Sequence, residues 1–168
     1  MVIVLNGPLG IGKSTLAEAL MESLDSCVVL DGDRLVAANP APANEIEYLH
    51  STIALLVAHH RAFGYRHFVI DHVWASPAAL DDLRGRLVAI DPQLEFRCFL
   101  LTLPLDENLR RIERRQAARA IDERAFERHT LIEERAQLSD RSDLGEPFDV
   151  SASPEELVAI LMERLALR

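Results

Sequence analysis

Gly7-Pro8-Leu9-Gly10-Ile11-Gly12-Lys13-Ser14 follows the apolar run Val2–Leu5 and precedes the helix-forming stretch Thr15–Leu24. Its spacing satisfies G-x-x-x-x-G-K-[ST] between a strand and a helix, the context in which the pattern carries meaning. Gly7, Gly10 and Gly12 let main-chain N–H groups, including those of Ile11 and Thr15, converge on phosphate oxygens at the positive end of a helix dipole. Lys13 supplies a compact positive charge for the outer phosphates, and Ser14 offers a hydroxyl to a bound Mg²⁺. Chance occurrence in a chain of this composition is on the order of one in ten thousand. Lys13 is also the only lysine, every other basic side chain among the 18 Lys and Arg residues being arginine, so the compact ammonium is kept at a position where a forked guanidinium is too bulky.

Outward from this loop, short apolar runs alternate with longer amphipathic stretches, the pattern of a parallel sheet wrapped by helices. Strands are expected at Val2–Leu5, Cys27–Leu30, His67–Ile70, Glu95–Leu101 and Pro147–Val150. Asn44 with Glu47 suggests a capping-box start for a helix that runs to Gly64, and Ser76-Pro77 and Ser153-Pro154-Glu155-Glu156 suggest two further helix starts. The 168 residues are 49% hydrophobic, consistent with one compact domain over 1–168. With 27 acidic residues and a net charge of −9 there is no global positive field to hold nucleic acid or an anionic membrane. Cys27 and Cys98 lie in apolar runs, which reads as two reduced thiols rather than a disulfide or metal framework. The start of the chain shows no basic leader or cleavage site, and the longest apolar stretch, Ile53–Ala58, is far short of a membrane span, so a cytoplasmic location is expected.

With the phosphate loop in place, the sequence resembles the small P-loop kinases: nucleoside monophosphate, shikimate, gluconate and adenylylsulfate kinases, with antibiotic enzymes such as chloramphenicol phosphotransferase and the tunicamycin-resistance proteins. The resemblance implies an α/β, three-layer P-loop NTPase fold whose five-stranded parallel sheet runs in the order 2-3-1-4-5. It also implies ATP and Mg²⁺, an acceptor-binding insertion over 39–65 and a short helical lid over 116–138. Asp31-Gly32-Asp33 at the end of the second strand looks like the paired acids of the gluconate and shikimate enzymes. On that likeness Asp33 is the base toward an attacking hydroxyl and Asp31 orients Mg²⁺ through water, while Arg34, similar in place to an arginine of the monophosphate kinases, is expected to hold an anionic group of the acceptor. Arg61 allows an anionic acceptor too.

Asp71, at the end of the third strand, either accepts from Ser14 or a Mg²⁺-bound water, as a Walker-B-like acid would, or caps the following turn. His72 and Trp74 follow it toward the acceptor pocket, whereas His59, His60 and His67 read as structural. Five arginines crowd into 110–119, and Leu105, Leu109 and Ile112 recur at helical spacing as an expected buried stripe. Arg111, Arg115 and Arg119 are similar in spacing to the adenylate-kinase pattern. That resemblance gives Arg111 to adenine and Arg115 and Arg119 to charge on the transferring phosphoryl group, with Arg128 a looser lid candidate. With one lysine there is no Asn-Lys-x-Asp guanine motif, which favours ATP. The expected activity is Mg-ATP-dependent transfer of the γ-phosphoryl group to a small-molecule acceptor (metabolite, nucleotide or antibiotic) by a monomer or homodimer. The alternative is a nucleotide-dependent switch with only slow hydrolysis.

Overall fold

The computed structural model describes residues 1–115, 121–139 and 141–167, with side chains described outside 115–124. Strands β1 (Val2–Asn6), β2 (Cys27–Asp31), β3 (His67–His72), β4 (Phe96–Thr102) and β5 (Glu146–Asp149) form one parallel sheet in the order β2-β3-β1-β4-β5. Fold class, strand order and parallel sense are those expected. The helices are α1 (Lys13–Ser23), the short α2 (Gly32–Leu35), α3 (Glu45–Ala62), α4 (Pro77–Ile90), α5 (Leu105–Arg115), α6 (Ile121–Leu138) and α7 (Pro154–Arg164).

All five residues of β1 are buried, and successive side chains enter opposite cores. Ile3 and Leu5 join Leu16 and Leu20 of α1 and Leu161 of α7. Val2 and Val4 join Leu49 and Ile53 of α3 and Leu83 and Leu87 of α4. At about 1.5–3 kcal/mol for each fully buried aliphatic side chain, this two-sided burial is what fixes β1 at the centre. The segment 39–65 therefore contributes a layer of the fold as well as a loop, since Leu49, Ile53 and Val57 of α3 are fully buried.

The helix starts divide. Ser153 and Glu156 form the reciprocal capping box at α7. Asn44 accepts from Glu47 N–H at α3, but the Glu47 carboxylate does not reach back; it takes a bidentate pair with Arg86 on α4 instead. Ser76 makes no side-chain cap, and only Pro77 marks that start. The expected stripe on α5 also needs correcting: Leu105 is 44% exposed, while polar Asn108 is fully buried beside Ile112. Its side-chain amide donates to Leu9 O at 3.1 Å, so a carbonyl of the phosphate loop, rather than hydrophobic spacing, decides which face of α5 turns inward. Among the described residues no helix is long and apolar enough to cross a membrane.

The register brings functional side chains to one edge. Asp31 of β2 pairs with Asp71 of β3, which pairs with Leu5 of β1, while His72 pairs with Asn6. The second strand, the third strand and the phosphate loop thus end side by side at the carboxyl edge of the sheet.

Candidate active site

Helix α1 starts at Lys13, two residues before the sequence suggests. Gly12 stands at its N-cap with no side-chain cap, and its first turn holds no acid. Its leading N–H groups are therefore left for an external anion. α5 braces the loop from outside. Gly10 lies at φ +71°, and a Cβ there would sit 2.4 Å from Ile112 Cγ1, so this glycine is demanded both by backbone conformation and by close packing. Arg111 donates to Ile11 O at 2.9 Å and to Val150 O at 2.7 Å, tying the loop to the segment before α7.

Lys13 Nζ donates to Gly7 O at 2.7 Å and Pro8 O at 3.2 Å. Burial pulls its pKa below the ordinary lysine range, against the opposing pull of Glu134, Asp33, Asp71 and Asp31. Ser14 Oγ donates to Asp71 Oδ2 at 2.7 Å, the first of the two alternatives for Asp71. The other oxygen, Oδ1, is buried without a hydrogen-bond partner, and burial pushes this carboxyl above its usual range, partly offset by the Ser14 donor. Asp33 Oδ1 lies 2.8 Å from His72 Nδ1. That hydrogen bond holds the Asp33 carboxyl below its ordinary range, ahead of an opposing desolvation. The pair also explains Gly32, because a Cβ there would stand 2.7 Å from His72 Cβ.

Asp31 caps α2 by accepting from Arg34 N–H at 3.2 Å and pairs with the Arg34 guanidinium at 3.2 Å. Arg34 is otherwise exposed to solvent, and Arg61 is spent on Asp91. Trp74 is a correction to the pocket expectation: it is 1% exposed in the core, its indole N–H donating to His50 Nε2 at 3.1 Å, and it meets the site only through an edge-on contact with His72 at 5.0 Å between ring centroids. His50 Nδ1 in turn meets Asp82 Oδ2 at 2.7 Å, which fixes the donor at that nitrogen because the indole can only donate.

A cleft of about 630 Å³ runs over the loop. Its lining includes Lys13, Ser14, Thr15, Asp33 and Asp71 together with Arg111 and Arg114. Arg114 had no sequence assignment, although a spacing of three from Arg111 puts both on one helix face. The Arg115 side chain and all of Arg119 lie outside the described residues; Arg128 is exposed on α6. Three further residues at the site carried no motif: Asn6, Asn108 and Glu134, whose Oε2 accepts from Leu9 N–H at 2.6 Å. Among the described residues no group of three or more His, Cys, Asp or Glu is gathered to hold a metal ion.

A parallel 2-3-1-4-5 sheet, with a glycine-rich loop after β1 feeding an uncapped helix and acids ending β2 and β3, is the fold of the small P-loop kinases. A family model described as "AAA domain" matches residues 2–139, and the chain belongs to that family. No curated protein matches it in sequence. Among solved structures it is similar to the Deinococcus radiodurans tunicamycin resistance protein, with 18% identity and a TM-score of 0.65 over 99% of this chain and 96% of that one. A gluconokinase from Sinorhizobium meliloti 1021 gives 18% identity and a TM-score of 0.65 over 98% and 95%. Shikimate kinase from Aquifex aeolicus vf5 gives 20% and 0.62 over 99% and 96%. At these identities the likeness is one of fold.

Proposed function

We propose that the protein is a Mg-ATP-dependent phosphotransferase that moves the γ-phosphoryl group to a hydroxyl of a small-molecule acceptor. The observation that carries this reading is the Asp33–His72 pair, in which an ionised carboxylate lines the same cleft as Lys13 and Ser14. A purely nucleotide-responsive switch has no use for a carboxylate oriented by an imidazole at that distance.

The residues present suit a Mg²⁺ ion carried by nucleotide. The buried, unpartnered Asp71 Oδ1 is an acceptor in want of a donor or a cation, and Ser14 supplies a hydroxyl beside it. Magnesium usually keeps several waters and takes one or two carboxylates along with phosphate oxygens, which a site without a three-acid cluster matches. When bound, the ion would offset charge on the outer phosphates. Lys13 would leave the carbonyls of Gly7 and Pro8 for those phosphates, and Arg111 would border the adenine. Arg115 and Arg119 are assigned to the transferring phosphoryl charge on their sequence pattern.

Asp33 holds the acceptor hydroxyl and takes its proton. A carboxylate kept below its ordinary pKa is a weak base, so the proton moves late, once the bond to phosphorus makes the hydroxyl acidic, as a loose transition state allows. Replacement Asp33→Asn is expected to cut acceptor-dependent ADP release by ~10²–10⁴ with Mg-ATP affinity retained. An unchanged rate removes Asp33 from the mechanism, and ATP hydrolysis indifferent to every acceptor favours the switch. Thermal-shift screening of hydroxyl compounds with Mg²⁺ and a non-hydrolysable ATP analogue selects the acceptors to assay.

A further inference from the structure

Glu134 lies outside the phosphate-loop motif and has no part in the reaction described above, yet it occupies the loop. Its Oε2 accepts from the Leu9 N–H at 2.6 Å, so one main-chain donor of the phosphate loop is already taken by a carboxylate of the chain's own. The charged groups that act on this carboxylate are Lys13, Asp33 and His72. Burial is the largest influence on it and raises its pKa, opposed by the Leu9 N–H and by Lys13. The pose is held from both flanks. Arg135, the next residue, donates to Leu103 O at 2.8 Å, and Leu131 and Leu138, on either side along α6, are buried.

A carboxylate oxygen at hydrogen-bond distance fills the space of any other acceptor at that N–H. Lys13 is the cation that answers outer phosphates, and it is also the cation that Glu134 feels. We propose that Glu134 is a built-in competitor for the terminal phosphate: the two cannot accept from Leu9 together, so nucleoside triphosphate displaces Glu134 and loosens α6, whereas nucleoside diphosphate leaves it docked. The proposal rests on the nucleotide-binding part of the preceding section and goes beyond it by giving α6 a ligand-dependent position.

The affinity of a site whose open form is only fractionally populated is reduced by that fraction. Removing the competitor should therefore tighten triphosphate binding selectively. Calorimetric titration of the full chain in Mg²⁺ buffer would compare the β,γ-imido analogue of ATP with ADP for wild type, Glu134→Ala, which leaves no side-chain acceptor for the Leu9 N–H, and Glu133→Ala, which removes the adjacent exposed acid of α6. Glu134→Ala should bind the imido analogue about 10-fold or more tightly than wild type and ADP within about 2-fold, with Glu133→Ala near wild type for both. Equal tightening toward both nucleotides would mean simple removal of charge and overturn the proposal, as would unchanged or weaker binding of the imido analogue. Hydrogen exchange on the unmutated protein gives a second readout that no folding defect can confuse: amides of 125–138 should exchange faster with the imido analogue than with ADP, and equal rates overturn the proposal. Failure of every variant, wild type included, to bind either nucleotide would instead sink the nucleotide reading itself, and this competitor with it.

Discussion

Asn6 and Trp74 exchange two hydrogen bonds: Asn6 Oδ1 accepts from the Trp74 N–H at 2.9 Å, and Asn6 Nδ2 donates to Trp74 O at 2.9 Å. Nδ2 also donates to Leu144 O at 3.1 Å. One fully buried side-chain amide thus imitates a strand partner where β1 gives way to the phosphate loop, and it holds the segment after β3 and the turn before β5 to that point. Replacement Asn6→Asp would set an oxygen against two carbonyls. The expected loss is roughly 2–5 kcal/mol, from buried groups left unpaired at about 1–3 kcal/mol each. Urea unfolding followed by the fluorescence of Trp74, the only tryptophan, measures it. A loss below about 0.5 kcal/mol, the range of ordinary surface changes, would show that water replaces the amide at no cost.

Gly10 and Ile112 should be coupled. Gly10→Ala meets both a positive φ and the Ile112 side chain, and overpacking alone costs about 1–3 kcal/mol. Ile112→Ala removes the clash but not the backbone strain. The double variant should therefore be more stable than the sum of the two single losses allows, by more than about 0.5 kcal/mol, while still binding nucleotide more weakly than wild type. Strict additivity of the unfolding free energies would contradict the packing described here.

The Asp33–His72 hydrogen bond makes stability depend on acid in a definite sense. The folded-state pKa of Asp33 lies below its unfolded value, so the folded chain binds that proton more weakly. The stabilisation is complete above the unfolded value of about 3.9 and is lost as pH falls through the folded value. Asp71 and Glu134, both raised by burial, act in the opposite direction, so the informative quantity is a difference between two proteins. Between about pH 5 and pH 2, the unfolding midpoint of wild type should fall more steeply than that of His72→Ala. Parallel curves would mean that the imidazole does not hold the carboxylate.

Burial pushes the Cys27 thiol up to about 11 and the Cys98 thiol up to about 12. Both are free, and Cys98 Sγ donates to Leu144 O at 3.4 Å. Since the thiolate is the reactive form, alkylation by iodoacetamide at neutral pH should be at least about 10-fold slower in the folded protein than in urea, where two equivalents react. Rapid labelling of either cysteine in the native state would place it at the surface.

Much of the site was legible because its chemistry is carried by local sequence. The glycine loop sits between a strand and a helix, and Asp31 and Asp71 lie at the ends of apolar strands, where a parallel sheet gathers them at one edge, with Asp33 two residues beyond β2 in α2. What escaped was long-range and polar. Glu134 meets the loop across 125 residues and Asn108 across 99, each through a single side-chain to main-chain hydrogen bond that leaves no periodic trace. Leu105 fits the helical spacing of a buried stripe, yet the unpaired carbonyl of Leu9 needs a donor, and Asn108 takes the inward position. Trp74 was placed one layer too far out, because sequence position cannot tell a residue that lines a cleft from one that supports it through His72 and His50.

Because arginine serves at every other basic position, Lys13 carries the only side-chain amine in the protein. A guanidinium does not form imines or carbamates under mild conditions, whereas a primary amine of depressed basicity keeps more of its nitrogen lone pair available near neutrality. An aldehyde-bearing nucleotide followed by borohydride would thus have a single side chain to attach to. Mass spectrometry of the digest would read occupancy of the cradle as label on Lys13, with fragmentation separating it from label on the Met1 α-amine, and competing ligands could be ranked by how well they protect that lysine.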